Sequence, residues 1–253
     1  VYFIMNNILI PFLISLFAGL STIIGYFFIY AKPKNIPKFI GVSLSFSASI
    51  MLLISILELI PDGFFFLKGK YNLILAILTL ILMILIGYGI NISINKKISK
   101  KGLNSSNLYR VGILSMIALM IHNLPEGILT FLSSSVNINL GLKMSIAIML
   151  HNIPEGIAIA VPIYYGSGSK SKAFINTLVS GFSEPLGAII AYLFLYKYMS
   201  NTLISIVLLF VAGIMISISI NDIFKEAEKY SKKYILIGFI LGLVMILLTE
   251  FIL

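Results

Sequence analysis

The sequence predicts an all-α, polytopic membrane protein of eight transmembrane helices, and three observations carry that prediction. Hydrophobic side chains make up 59% of the 253 residues and charged ones only 11%, with a mean hydropathy of +1.07; a soluble globular domain holds about 25% charged residues. Apolar runs of about 20 residues, the length needed to cross a hydrocarbon core, recur eight times between polar breaks. The basic residues gather at alternate breaks, as they do when a chain threads a membrane repeatedly.

The spans read, in order, at about 6–30, 38–60, 71–94, 108–131, 139–163, 173–196, 202–222 and 234–252, forming one domain over residues 1–253. Span one has no basic leader and no small-residue cleavage site, so it is expected to be a retained helix rather than a signal peptide. Span two ends near Glu58 and Asp62, which read as solvated interfacial acids. A Lys-rich loop at about 95–107 follows span three, and its Gly102–Asn107 portion has the composition of a mobile connection. Spans four and five are joined by a short polar link containing Ser133, Ser134, Ser135 and Asn137. Span seven closes on Asp222, and Glu226, Glu228 and Glu250 read as loop or interface charges.

The formal net charge of +9 invites a nucleic-acid reading, but the placement of the 18 basic residues argues against it. Fourteen of the 18 follow odd-numbered spans, from Lys32 to Lys233, and four, Lys68, Lys70, Lys143 and Lys197, lie on the other side. By the positive-inside rule the first set is cytoplasmic and both termini lie outside, in a multi-pass protein of the cell (inner) membrane. The partners expected are therefore lipid and a small substrate, with no nucleic acid. Because the chain has no cysteine, a metal would be held by nitrogen and oxygen alone.

Internal similarity takes two forms. The segment Ala48–Glu58 aligns without gaps to Ala212–Asp222, with six of eleven positions identical, on spans that run in opposite directions. Inverted repeats of this kind build many secondary carriers. The second form is stronger: His122-Asn123-Leu124-Pro125-Glu126-Gly127 recurs as His151-Asn152-Ile153-Pro154-Glu155-Gly156, and these copies hold both histidines of the chain. A central antiparallel pair, spans four and five, is thus expected between inverted triplets in a 3+2+3 arrangement.

Each copy starts about a dozen residues into its span, near the bilayer midplane, where a charged group costs roughly 2.5–3.5 kcal/mol. Residues four apart share a helix face, so His122 points with Glu126 and His151 with Glu155, each pair a two-donor clamp. Asn123 and Asn152 lie three residues before the glutamates and can serve a neighbouring metal position, with each glutamate bridging. Pro125 and Pro154 each remove a backbone donor and are expected to disturb the helix locally, while Gly127 and Gly156 permit close helix contact. Span six adds Glu184 in Ser183-Glu184-Pro185, a third acid at the same depth. Three carboxylates in a low dielectric cannot all stay ionised alone, so binding a cation is expected to release protons. Imidazole, carboxylate and amide donors suit zinc, iron, manganese, cobalt or cadmium better than copper(I) or magnesium.

The paired hexapeptides, the stretch Ser180-Gly181-Phe182-Ser183-Glu184 and the eight-span plan resemble the ZIP (Zrt/Irt-like) family of divalent metal transporters, closest to its bacterial ZupT-like branch. The resemblance covers nearly the whole chain. It implies uptake of divalent transition metal into the cytoplasm through a binuclear site, with the metal as substrate and no catalytic cofactor. His122, Glu126, His151 and Glu155 match the first metal position; Asn123, Glu126, Asn152, Glu155 and Glu184 match the second. It also implies an elevator-type motion of helices 1, 4, 5 and 6 against 2, 3, 7 and 8, in a homodimer. Two departures stand out: the loop after span three has no histidine, and Asp222 is followed by Ile223 rather than proline.

Two other classes compete. A metal-selective channel could use the same acids as a filter. An intramembrane metalloprotease would need His-Glu-x-x-His or an equivalent with three ligands and a base, whereas here each helix has one histidine and its i+4 partner is an acid. An enzyme is therefore not expected.

Overall fold

The computed structural model describes residues 2–100, 107–195 and 200–252. Among them every regular element is helical, and eight helices are long and apolar enough to cross a membrane. We label these α1 (Ile8–Tyr30), α2 (Ile36–Lys68), α3 (Leu73–Ile94), α4 (Leu108–Ser135), α5 (Gly141–Ser167), α6 (Lys170–Phe194), α7 (Asn201–Ala227) and α8 (Lys232–Thr249). Of the Gly102–Asn107 portion read from the sequence as mobile, residues 102–106 lie outside the described residues, and Asn107 opens the helix that contains α4.

The surface fits a lipid environment. Ile74, Leu78, Leu82 and Leu85 on α3 are 73%, 58%, 54% and 61% exposed, an apolar stripe too long to leave in water. The α3 and α8 windows are only 11% and 17% buried, so these helices are peripheral, whereas α5 at 72% is central. That ranking puts the second hexapeptide in the most enclosed helix of the chain.

Packing sorts the helices into two groups. α4 packs on α5 and α6, and α1 packs on all three; α2 packs on α8, and α3 on α7. The groups meet where α2 crosses α5 and where α7 crosses α4. Leu44, Ile50, Met51, Leu119, Ile159, Ile214 and Met215 fill that seam in one continuous core. Ser47 of α2 donates to the carbonyl of Pro154 at 2.6 Å across it. Within each group small residues let backbones touch: a Cβ added at Gly25 would strike the Ile153 carbonyl, and one at Gly156 the Thr22 carbonyl.

Several helices depart from the sequence expectation. α2 runs past residue 60 to Lys68 because a wide π-type turn at Ser55–Leu59 opens the hydrogen-bond ladder just before Pro61. There the proline ring would otherwise meet the carbonyl of Leu57. α7 holds a matching turn at Ser219–Phe224. Ser55 and Ser219 are the same position of the two aligned segments, so this local irregularity is shared by both. The helix containing α3 continues to Lys100, six residues beyond the expected end, since lysine propagates a helix well once it leaves the membrane. α4 and α5 stay helical through Pro125 and Pro154, which therefore cost a hydrogen bond without breaking either helix. The actual breaks lie in α1 at Ser21 and in α6 at Phe182, three residues before Pro185.

A candidate metal site between α4, α5 and α6

The i, i+4 spacing acts as expected: His122 Nε2 lies 3.2 Å from Glu126 Oε1 on the same helix. Because α4 and α5 are antiparallel neighbours, the clamps also cross over. His122 Nε2 is 3.1 Å from Glu155 Oε1, and His151 Nε2 is 3.0 Å from Glu126 Oε1. Glu126 Oε1 thus sits between both imidazoles. Donor atoms of His122, Glu126 and Glu155 lie within 4.8 Å of one another, a separation that one ion can bridge.

All seven residues singled out from the sequence are buried, with His122, Asn123, Asn152, Glu155 and Glu184 at 0% exposure. Charge at such depth is costly unless partners compensate it, and the imidazole and carboxylate pairs do so for Glu126 and Glu155. Glu184 instead accepts a hydrogen bond from Asn152 Nδ2. His151 is brought to Glu126, and its own i+4 partner Glu155 faces His122.

The asparagines are held by the breaks in the flanking helices. At Ser21 the ladder of α1 is interrupted, and the carbonyl of Ala18 accepts from Asn152 Nδ2 at 2.9 Å and from Ser21 Oγ at 2.6 Å. At Phe182 the carbonyl of Ser180 accepts from Ser183 Oγ and, more weakly, from Asn123 Nδ2 at 3.5 Å. Because Asn152 Nδ2 also donates to Glu184, that amide ties the break in α1 to the third acid. The Asn123 amide has a second orientation, in which its nitrogen donates to Glu155 Oε2 at 3.1 Å and to the Leu119 carbonyl at 2.8 Å. That orientation satisfies the amide nitrogen and the Glu155 carboxylate from within the chain.

Three buried carboxyl or amide oxygens at the cluster have no hydrogen-bond partner: Glu126 Oε2, Asn152 Oδ1 and Glu184 Oε2. Buried oxygens are rarely left so, and each orphan costs about 1–3 kcal/mol. They belong to three of the five residues matched to the second metal position, and hard or borderline cations are their natural complement.

Residues not weighted in the sequence also shape the site. Ser21 and the Ala18 carbonyl had no motif to mark them, only a hydroxyl in an apolar run. Glu58, expected to be a solvated interfacial acid, is half-buried in the wide turn of α2 and shares a constricted cleft with Ile54, Leu150 and His151. Asp222 accepts from Asn91 Nδ2 of α3 at 3.1 Å, and Glu226 is buried against Lys229 rather than exposed in a loop.

Comparisons with known proteins identify the family of the chain. The family described as ZIP zinc transporter matches residues 93–250, which include both hexapeptides and Glu184. A protein named zinc transporter ZupT from Clostridium perfringens is 36% identical, with 95% of this chain and 94% of that one covered. Namesakes from Streptococcus mutans and Campylobacter jejuni are 38% and 36% identical, covering 94% and 98% of this chain and 95% and 97% of their own lengths. With similarity of that extent along the whole fold, the chain belongs to the ZIP zinc transporter family.

Proposed function

We propose that this protein carries divalent transition metal, zinc foremost, across the cell membrane into the cytoplasm. The carrying observation is the convergence of His122, Glu126, His151 and Glu155, all buried, through contacts of hydrogen-bond length. In this reading the ion sheds its water onto those four donors. A second ion lies on the other oxygens of Glu126 and Glu155, with Asn123, Asn152 and Glu184 completing the pair. Iron, manganese, cobalt and cadmium meet the same donor set.

The enclosure of the cluster favours a carrier over a channel, since five of its seven residues have no exposure. Release then requires α1, α4, α5 and α6 to shift against α2, α3, α7 and α8, with α5 sliding along α2 at the seam. Glu58 at the cleft beside His151 receives ions from outside, and Asp222 lies on the cytoplasmic exit. The placement of the basic residues puts both termini outside, and the resemblance implies that the chain works as a homodimer. The metal is cargo, no catalytic cofactor is involved, and no enzyme chemistry is assigned.

Uptake of a metal panel into proteoliposomes of the purified protein tests the reading. Saturable zinc uptake at micromolar concentration is expected; flux rising linearly with concentration would make it a channel, and no flux would reject it. Replacing Glu58 with Gln should raise the half-saturating concentration about tenfold with little change in maximal rate, because an acid in the cleft that leads to the site concentrates cations without holding the transported ion. Cysteine-free sequence makes single-cysteine labelling at Lys34 and Lys68 a clean check of sidedness.

A further inference from the structure

An apolar groove of about 670 Å³ opens on the outer surface of the bundle near the α1–α2 connection. Its walls come from both helix groups: Phe28 of α1 and Ile157 of α5 on one side, Phe39, Val42 and Phe46 of α2 with Leu241 of α8 on the other. The volume falls in the range of ligand sites, about 300–1,000 Å³. Lys34 and Lys38 stand at its mouth, both exposed, and Asn35 caps α2 between them. A second cavity of about 300 Å³ borders the same Pro33 and has a different lining, with Lys32, Lys170, Tyr164 and Tyr165 around it. Lys170 Nζ lies 4.5 Å from the centre of the Tyr30 ring, which holds that cation beside the cavity.

An apolar groove that meets a basic, hydroxyl-lined cavity at one residue has the two-part chemistry of a phospholipid. We propose that this seam binds an anionic phospholipid, one acyl chain in the groove and the phosphate among Lys34, Lys38 and Lys170. The basic end lies at the face assigned to the cytoplasm, where anionic headgroups gather and basic pockets between helices retain them. A lipid seated there touches both helix groups, so it stiffens the seam that transport has to shear. Binding itself does not depend on whether metal is carried.

Native mass spectrometry of the purified protein with phosphatidylglycerol or phosphatidylcholine of identical chains tests it. Phosphatidylglycerol should stay bound at collision energies that strip phosphatidylcholine. Lys34→Gln with Lys38→Gln should lower its retention about fivefold per lysine, bringing it near the phosphatidylcholine level. Val42→Trp, which fills the groove from the lipid side, should lower retention of both. Equal retention of the two lipids, or no change in the lysine variant, overturns the proposal. So does disulfide dimerisation of a Phe46→Cys variant, which would give the groove to a second copy of the chain. Zinc uptake is measured separately, so loss of lipid binding with uptake intact and the reverse are distinguishable.

Discussion

Glu126→Gln is expected to abolish metal uptake and leave the helices assembled. Among the described residues, Glu126 is the one carboxylate whose oxygen touches both histidines, at 3.2 Å from His122 and 3.0 Å from His151. Glutamine keeps the shape and one acceptor oxygen and removes the charge that offsets a divalent ion. Partners that only orient a metal ligand cost 10–100-fold when altered, so a direct ligand should cost at least about 100-fold in uptake. The site also gives an internal contrast. Glu184 touches Asn152 and neither histidine, so Glu184→Gln should reduce bound zinc from two ions to one and slow uptake less than Glu126→Gln does. Bound metal counted by elemental analysis, with circular dichroism as the folding control, reads both. Wild-type uptake in Glu126→Gln would remove the basis of the transporter mechanism, and a stoichiometry of one in the unaltered protein would remove the binuclear site.

What could be read from the sequence follows from how local each signal is. The clamp His122 to Glu126 is four residues long, so helix geometry alone puts its atoms on one face, and the duplicated hexapeptide gives two such faces. That the clamps cross, with Glu126 between two imidazoles, needs the antiparallel contact of α4 and α5, which the short Ser-rich link made foreseeable. The asparagine anchors were not foreseeable. They depend on breaks in α1 and α6 whose freed carbonyls, of Ala18 and Ser180, are more than a hundred and more than fifty residues from their amides. Ser21 carries no proline or turn motif, and a lone hydroxyl in an apolar run looks like any other serine. The end of α2 was misplaced for a related reason. Glu58 and Asp62 made the apolar run look finished near residue 60, whereas the helix continues through the wide turn at Ser55–Leu59 to Lys68. Prolines inside α4 and α5 were expected to disturb the backbone where they stand, whereas the irregularity that serves the site lies in the helices facing them.

Gly127→Val should unfold or dissociate the α4–α6 contact, a loss of more than about 3 kcal/mol, beyond the 1–3 kcal/mol typical of overpacking. A Cβ at Gly127 would overlap the backbone carbonyl of Glu184, and one at Gly187 would overlap that of Leu124, so the two helices press backbone to backbone in both directions. Neither carbonyl can rotate away as a side chain would; the helices would have to part. Gly89→Ala is the matched control, since nothing lies within 4 Å of a Cβ there, and alanine in a helix interior should leave stability unchanged or raise it by about 0.5–1 kcal/mol. Thermal unfolding in detergent followed by circular dichroism compares the two. Gly127 directly follows Glu126, and the carbonyl it contacts belongs to Glu184, so the close approach that holds α4 to α6 also sets how near the third acid comes to the first. A milder Gly127→Ala protein that still folds should therefore lose the second zinc ion before the first. If it keeps both ions with full affinity, the helix spacing and the site geometry are independent, and the packing of α4 on α6 serves stability alone.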